Sequence, residues 1–334
     1  MTIKDLSAMT GYSVGTISRV LNNQPNVSER ARIAILDAVR RSGFQLNVNA
    51  KQLKQQHATS ILVVVKGIGN ELFGNLIERL QTLVAQTPHP LVVDYLDEEQ
   101  NEVRRAVQLC REKKPLGVLF LGGNRQNFLT DFKDMDLPCV LVTNDASTLD
   151  FPNLSSVTSD DFQAGRVAIE HLLSLGHRRI AVIGGHRAMS DIARLRYEGC
   201  LAAFREHDVP FDPERDYVSV RFSCADGYRG AEELLRRHPG ITAIFAMSDV
   251  MAIGAIRALW DHGLRVPEDV SVMGFDGLDI GEYLVPKLAT IRQSVPELAQ
   301  RSIGILKAQI ENRGESIHET IPVAVSSRES TRAI

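Results

Sequence analysis

Apolar residues near the start of the chain follow the period of an α-helix, and turn-forming residues divide them into short segments. Thr2 is placed to cap a first helix, with Asp5 three residues further on. Gly11 breaks this helix, and Ser13 can cap a second one that runs to about Leu21. The pattern therefore predicts two short helices joined by a glycine turn.

A third helical segment follows. Ser28 is placed to cap it, Glu29 lies in its positive first turn, and Gly43 ends it. Apolar positions at helical spacing can close one small core among the three helices: Ile3, Leu6, Ile17, Leu21, Ala31, Ile35 and Val39. This is the pattern of a helix-turn-helix, whose second helix enters the major groove of DNA.

After His57 the pattern changes to short apolar strands that alternate with amphipathic helices. The strands are predicted at Ile61–Val65, Leu91–Tyr95, Val118–Leu121, Val140–Val142, Ile180–Ile183, Ala243–Ala246 and Val270–Met273. The helices are predicted at Leu72–Leu83, Glu102–Cys110, Ala164–Leu175, Ala193–Phe204 and Met251–Leu259. Such alternation is typical of parallel sheets covered on both faces, here α/β in class. The length of this region favours two lobes over one sheet.

The polar stretch Asp145–Ser156 is the best candidate for the first crossing between these lobes, because it is rich in Asn, Asp, Ser, Thr and Pro. Ligands of open α/β sheets bind outside the carboxyl ends of the strands. We therefore expect a binding cleft where the strand ends of the two lobes face each other.

Charge divides the chain at the same place as the apolar pattern. Residues 1–57 hold eight Lys or Arg against three acidic residues, which gives +5 and leaves −8 for the rest of a chain whose net charge is −3. A basic helical head on an acidic body is typical of a nucleic-acid-binding module joined to a domain with another task. A small helical bundle with a solvated basic face is the alternative.

Several classes of protein are not indicated. No apolar run approaches the roughly 20 residues that span a membrane, and no N-terminal secretion signal is evident, so we expect a cytoplasmic protein. The histidines show no metal-ligand spacing, and no nucleophile lies with a base and an acid in a catalytic motif. We therefore expect no metal, no cofactor and no catalysis. Four scattered cysteines predict reduced thiols: Cys110, Cys139, Cys200 and Cys224.

The residues themselves carry a resemblance that spans essentially the whole chain. TIKDLSAMTGYSVGTISRVLN and NVNAKQL, followed by LGHRRIAVIGG, ARLRYEG, SDVMAIGAIRAL, VPEDVSVMGFD and SSRESTR, resemble the LacI/GalR family of bacterial transcription regulators. The resemblance implies a helix-turn-helix head at residues 1–46, a hinge helix at 47–57 and a two-lobed, periplasmic-binding-protein-like effector domain at 58–334. Lobe 1 would comprise about 58–156 and 287–318, and lobe 2 about 157–286 and 319–334, with three crossovers.

In the head, the start of the second helix is expected to face DNA. Arg19 is the candidate for a bidentate bond to guanine, and a phosphate contact or an ion pair with Asp5 is the alternative. Val14 offers only apolar contact and Gly15 has no side chain, so few side chains of this helix are available to recognise DNA bases. Polar side chains that can orient the helix through phosphate or backbone bonds are Ser13, Thr16, Ser18 and Asn22.

The composition of residues 47–57 is that of a polar linker, but the resemblance implies that this segment contacts DNA. It implies that Leu53 is an apolar wedge in the minor groove of a hinge helix that folds on DNA. Asn47 and Ala50 would line the same groove, and Lys51 and Lys54 would meet phosphates. A plain linker is the alternative, because the segment is too short to be a stable helix alone.

In the cleft, the resemblance implies that Arg196 and Asp276 bind hydroxyl groups of a small molecule. An ion pair between Arg196 and a helix carboxylate, and capping of the turn before Leu278 by Asp276, are the alternatives. The aromatic side chains of Phe73 and Phe222 would also line the cleft, although packing in the core explains them equally well. Two small polar residues in the cleft, Thr143 and Ser248, depart from the family pattern.

These interpretations predict a homodimeric transcription regulator, most simply a repressor, that binds a pseudo-palindromic DNA operator under the control of a small molecule. A sugar or sugar derivative is the expected effector. A nucleoside or purine stacked on the two Phe rings is the runner-up. A solute-binding protein and an α/β enzyme with a regulatory head are the alternatives from other classes.

Overall fold

A computed structural model describes residues 3–21, 27–42, 59–85, 87–312 and 314–334. By their internal contacts the residues form two compact units, Met1–Ala58 and Thr59–Ile334. No helix among the described residues is both long and apolar enough to cross a membrane.

The N-terminal unit contains the three predicted helices: α1 (Ile3–Thr10), α2 (Val14–Leu21) and α3 (Glu29–Ser42). Gly11 has a φ of +72°, a left-handed conformation that ends α1 at low steric cost. The hydroxyl of Ser13 accepts a bond from the Thr16 amide at 3.2 Å, as the predicted cap requires. The Ser28 hydroxyl does the same at 3.4 Å for Ala31 at the start of α3.

The core of this unit is small and apolar. Leu6, Ile17 and Ile35 are completely buried, as the periodicity predicts, and Val20 joins them. Partly buried residues close its edge: Tyr12, Leu21, Val27, Ala38 and Val39. The predicted cap Thr2 and the helix end Gly43 lie outside the described residues.

The larger unit contains two six-stranded sheets. The first is parallel throughout, in the order β11-β5-β4-β3-β1-β2. Its strands are β1 (Ile61–Lys66), β2 (Leu91–Leu96), β3 (Gly117–Leu121), β4 (Cys139–Val142), β5 (Leu154–Ser159) and β11 (His318–Ile321). The associated helices are α4 (Glu71–Val84), α5 (Glu102–Lys113), α6 (Arg125–Asp131) and α12 (Val295–Asn312), with a 3₁₀ turn at Phe132–Asp134.

The second sheet has the order β12-β10-β9-β8-β6-β7, and only its edge strand β12 runs antiparallel to its neighbour among the described pairs. Its strands are β6 (Ile180–Gly184), β7 (Tyr217–Ser219), β8 (Ala243–Ala246), β9 (Ser271–Asp276), β10 (Ala289–Arg292) and β12 (Ala324–Ser326). The associated helices are α7 (Asp161–Ser174), α8 (Asp191–Glu206), α9 (Pro213–Asp216), α10 (Cys224–Arg237) and α11 (Asp249–Asp261), with a 3₁₀ turn at Asp279–Glu282.

The chain passes between the sheets after β5, after β10 and after β11, and these positions differ from the expected boundaries. Residues 145–153 form a loop within the first lobe, because β4 and β5 pair in the same sheet. The first crossing therefore follows Ser159 and not the polar stretch. β10 pairs with β9, so the second crossing follows Arg292 and not residue 286.

The first difference has a chemical cause. β5 reads LSSVTS, yet all six of its residues are buried. Hydrogen bonds replace apolar packing for its hydroxyls: Gln309 donates to Ser155 at 2.7 Å, and Ser159 donates to Gln293 at 2.8 Å. A buried strand of serines and threonines carries no apolar signal, so its sequence resembles a loop.

Glycines allow helices α7 and α8 to pack backbone to backbone. A Cβ atom on Gly165 would lie 2.1 Å from the Arg196 carbonyl oxygen, and one on Gly199 would lie 2.0 Å from the Phe162 carbonyl oxygen. Neither residue can carry a side chain without moving the helices apart. This close contact fixes the height at which Arg196 stands relative to the strand ends.

Candidate functional site

A cavity of about 280 Å³ lies between the two lobes, where carboxyl ends of strands from both sheets meet. Both lobes contribute to its wall. Five of the six effector residues expected from the sequence line this cavity: Phe73, Thr143, Arg196, Phe222 and Asp276. The sixth, Ser248, is not among the lining residues; it is buried and caps α11, where its hydroxyl accepts the Met251 amide at 3.3 Å.

Arg196 is held rigidly at the cavity wall. Its Nε donates to Asp161 at 2.8 Å and one terminal nitrogen donates to the Met247 carbonyl at 2.6 Å. The guanidinium carbon stands 3.4 Å above the centre of the Phe275 ring. The alternative pairing with a helix carboxylate is therefore present, and the arginine also lines the cavity. Such double anchoring preorganises a donor for a ligand.

Asp276 ends β9 with a φ of +117°, an unusual backbone conformation for a residue with a side chain. One carboxylate oxygen accepts a 2.8 Å bond from the Gln293 side chain. Burial raises its pKa to about 8; the charge of Arg196 opposes this rise, and the carboxylate of Asp249 adds to it. The carboxyl group is thus poised to donate as well as accept a hydrogen bond at neutral pH.

Asp249 stabilises the turn that follows Asp276. Its two oxygens accept bonds of 2.7 Å from the Leu278 amide and 2.7 Å from the Thr290 hydroxyl. Burial raises its pKa to about 6, and these bonds oppose the rise. The turn before Leu278 is therefore held by Asp249, and Asp276 is left facing the cavity.

Thr143, directly after β4, is a second residue on the wall with a strained backbone. Its φ is +75°, which is costly for a β-branched side chain. The residue is buried, and its hydroxyl has no hydrogen-bond partner in the described part of the chain. A strained backbone and an unsatisfied buried hydroxyl together are typical of a ligand-binding position.

The two aromatic residues face the cavity from opposite lobes. Phe73 is buried in the first lobe's core, and Phe222 packs at the edge of the second lobe's core. Glycines make room for both rings: a Cβ on Gly122 would lie 3.0 Å from Phe73, and one on Gly185 would lie 2.6 Å from Phe222. Core packing and a place on the cavity wall are both observed for these rings.

The first lobe contains a charged network that the sequence did not predict. Lys66, the last residue of β1, lines the cavity and donates to Glu102 at 2.6 Å. Glu102 is completely buried and also accepts the Asn124 amide at 2.6 Å and the Asn127 side chain at 2.8 Å. A lysine that ends the apolar run ILVVV was the available signal, because the carboxyl ends of such strands form binding sites.

Besides Gln293, which bonds to Ser159 and Asp276, exposed polar side chains of the described residues link the lobes across the cavity. Arg221 of the second lobe forms a salt bridge with Glu99 of the first. The Asn124 side chain donates to the Met189 carbonyl at 3.4 Å. Both pairs lie in exposed surroundings, where such interactions contribute about 0–1 kcal/mol each.

In the N-terminal unit, the start of α2 is open to solvent. Ser13, Val14, Gly15 and Arg19 are exposed, while Thr16 and Ser18 are half-buried. Arg19 forms no salt bridge with any described residue, so the expected alternative pair with Asp5 is not observed. The remaining expected DNA-contacting residues lie outside the described part of the chain: Asn22, Asn47, Ala50, Lys51, Leu53 and Lys54.

Comparison with known proteins places these observations in a family. Residues 2–47 match the model of bacterial regulatory proteins of the lacI family, and residues 169–331 match that of a periplasmic binding protein-like domain. The transcriptional regulator MalR of Clostridium butyricum is 32% identical over 335 residues, covering 99% of both chains. The repressor PurR of Haemophilus influenzae is 30% identical over 321 residues, covering 95% of this chain and 94% of that one.

Solved structures agree in fold. A lac repressor dimer bound to operator and an anti-inducer superposes with a TM-score of 0.79 at 24% identity, covering 100% of this chain and 99% of that one. The complex of the regulator CelR with cellobiose gives 0.72 at 26% identity, covering 99% of both chains. With a helix-turn-helix unit, a two-lobed α/β unit and relatives matched over their full length, the chain belongs to the lacI family of bacterial regulatory proteins.

Proposed function

We propose that this protein is a transcription regulator, acting as a repressor, whose binding to an operator is controlled by a small polar molecule in the interlobe cavity. The observation that carries the proposal is the cavity wall, which Arg196, Asp276 and Thr143 line together, the Thr143 hydroxyl having no partner among the described residues. A buried hydroxyl without a partner, on a strained backbone, destabilises a protein core, whereas a ligand with hydroxyl groups forms the missing hydrogen bond.

The cavity's chemistry favours a sugar or sugar derivative. Hydrogen-bond donors and acceptors both line it, and the rings of Phe73 and Phe222 offer apolar surface to the C–H face of a sugar. Lysine and arginine on the wall are each paired with a carboxylate: Lys66 with Glu102, Arg196 with Asp161 and Arg221 with Glu99. These pairings leave no free cation among the named wall residues for an anionic ligand, which favours a neutral one.

The cavity's volume of about 280 Å³ lies just below the usual range for small-molecule sites, roughly 300–1,000 Å³. A monosaccharide fits such a space better than a longer oligosaccharide does. The second candidate is a nucleoside or purine, favoured by the two facing Phe rings, which could stack on a base.

On the DNA side, the exposed start of α2 supports major-groove binding, with Arg19 as the guanine-reading side chain. We further propose a homodimer on a pseudo-palindromic operator, as in the solved lac repressor dimer with operator. Leu53 would act as the minor-groove wedge, with Asn47, Ala50, Lys51 and Lys54 beside it. A coupling of about 1–3 kcal/mol between effector and operator would change affinity roughly 5- to 150-fold.

The DNA half of the proposal is tested by selecting genomic fragments with the full-length protein at near-physiological salt. A palindrome enriched beside a transport or catabolic operon supports a regulator and names candidate effectors. Arg19→Ala should then weaken binding to that palindrome by about 1–3 kcal/mol and leave non-specific binding unchanged. An equal loss on both DNAs would make Arg19 a phosphate contact.

The effector half is tested by titrating monosaccharides and nucleosides into the operator complex. Asp276→Ala should abolish the response while operator binding is retained. Asp279→Ala is a matched control, since Asp279 is exposed, lies three residues away and is not on the cavity wall. An unchanged titration with Asp276→Ala would remove that residue from the site, and a response to nucleosides alone would favour the second candidate.

A further inference from the structure

A second cavity, of about 470 Å³, lies between the lobes on the other side of Ile192, which lines both cavities. Its wall is built from the loop after β4, the start of α7 and the start of α8. Apart from Ile192, the two cavities share no lining residue. No role for this space follows from the proposed repressor function.

Asn144 supplies the first sign that this space takes a ligand. The residue is 7% exposed and lines the second cavity, and its amide nitrogen donates to the Gly123 carbonyl at 3.3 Å. Its side-chain oxygen has no partner in the described part of the chain. Adjacent residues Thr143 and Asn144 thus line different cavities, and each has a buried oxygen without a partner among the described residues. An orphan acceptor of this kind calls for a donor from outside the protein.

The charges on the wall are unbalanced. Four aspartates line the cavity against two arginines: Asp145, Asp160, Asp161 and Asp191 against Arg125 and Arg194. Asp161 is matched by Arg196 and Asp191 by Arg194, which is shared with Glu198. Neither Asp145 nor Asp160 forms a salt bridge with any residue that the structure describes.

The start of α7 opposes this negative charge only in part. A helix N-terminus carries about half a positive charge, and Asp160 and Asp161 stand at that end with two carboxylates. Asp160 uses one oxygen to accept the Gln163 amide at 2.9 Å, which leaves its other oxygen available. Ser147 and Ser156 donate to Asp145, and the two arginines of the wall donate to Thr148, Asp191 and Glu198. Among the described residues, Asn144 and Asp160 therefore each leave one acceptor oxygen on this wall without a donor.

Apolar side chains complete the wall. Phe162, Ile192 and Leu195 line it beside the carboxylates. A bare metal ion would leave most of this volume empty, and the described residues contain no cluster of ligands for one. An alkyl chain would cover the apolar side chains while a charged donor group reached the oxygens.

We propose that the second cavity binds an aliphatic amine, whose ammonium group donates to Asn144 and to the carboxylate of Asp160. An ammonium group brings three N–H donors and one positive charge, so it can donate to both of these oxygens and compensate the carboxylate of Asp160. The site is separate from the effector cavity, and its occupancy needs no DNA.

The test is calorimetric titration of the full-length protein with putrescine, against the neutral diol of the same chain length. Asp160→Asn removes one negative charge, and asparagine caps a helix as well as aspartate does, so α7 is kept. Asp212→Asn is the matched control: Asp212 also caps a helix, by accepting the Glu214 amide at 3.0 Å, but is not on the wall.

We expect saturable binding of putrescine, no binding of the diol, and affinity reduced about tenfold by Asp160→Asn but unchanged by Asp212→Asn. Moderate salt should weaken the binding without abolishing it, because the site is partly enclosed. Absence of saturable binding would overturn the proposal. Binding that Asp160→Asn leaves unchanged, or that the diol reproduces, would overturn it as well.

Discussion

Asp276→Asn should make the effector unit more stable at alkaline pH and abolish the release of operator DNA by effector. The carboxyl group is buried, and burial raises its pKa to about 8 from the model-compound value of 3.8. Below pH 3.8 the group is neutral in the folded and unfolded states. As the pH rises towards 8, the unfolded chain loses the proton and the folded chain keeps it, so stability falls across this range.

The separation between the two pKa values is about four units, and each unit corresponds to about 1.4 kcal/mol, which sets an upper bound near 6 kcal/mol. Water entering the cavity lessens the penalty, so we expect the variant to gain about 2–4 kcal/mol over the parent at about pH 8.5. Asparagine keeps an oxygen for the Gln293 donor, whose bond to Asp276 measures 2.8 Å, so the contact itself survives. Near pH 4 the two proteins should be nearly equal in stability.

The assay is urea unfolding followed by far-ultraviolet circular dichroism across this pH range, with operator release by effector measured in parallel. Asp269→Asn is the matched control, since Asp269 is exposed and Arg265 lowers its pKa to about 2, the opposite direction. That control should gain nothing at alkaline pH. Parallel pH profiles for Asp276→Asn and the parent would refute the reasoning from burial.

Three further predictions follow from the wall and its supports. Gly165→Ala places a Cβ 2.1 Å from the Arg196 carbonyl oxygen and should lower the free energy of unfolding by about 3 kcal/mol or more. The control Gly304→Ala lies in open space on α12 and should raise the free energy of unfolding by about 0.5–1 kcal/mol. Thermal denaturation of the two variants and the parent measures these changes. Thr143→Gly should relieve about 1 kcal/mol of backbone strain in the same assay yet weaken effector binding, and an unchanged effector affinity would separate strain from binding. Glu102→Gln should destabilise by about 3–5 kcal/mol because Lys66 loses a buried partner, with equal stability arguing against the pair.

The helices and strands with a clear apolar period were predictable from the sequence. β8 lies at Ala243–Ala246, as expected, and β1 differs by one residue, because fully buried strands leave an uninterrupted apolar run. α10, at Cys224–Arg237, was not predicted; its buried face consists of two glycines, one alanine and one leucine, which gives little apolar signal. β5 was missed for a related reason, since hydrogen bonds satisfy its buried hydroxyls.

The candidate site was predictable where single residues end strands or carry the family's motifs. Arg196, Asp276 and Thr143 were identified in this way, and the structure brings them to one cavity. Lys66 and Glu102 were not, because residues 36 positions apart become partners only when β1 and α5 are placed by the sheet. Ser248 was assigned to the cleft by position alone, and its hydroxyl turned to the backbone of α11 instead.

The return of the chain to its first sheet has a consequence for synthesis on the ribosome. β11, at His318–Ile321, pairs with β5, and α12, at Val295–Asn312, packs against the first lobe's core. Until these last segments emerge, β5 has an open edge and one apolar face of the sheet is uncovered, while the second lobe is already being made. The first lobe to be synthesised is thus completed late, and during translation its unfinished sheet exposes an unpaired strand edge and an apolar face.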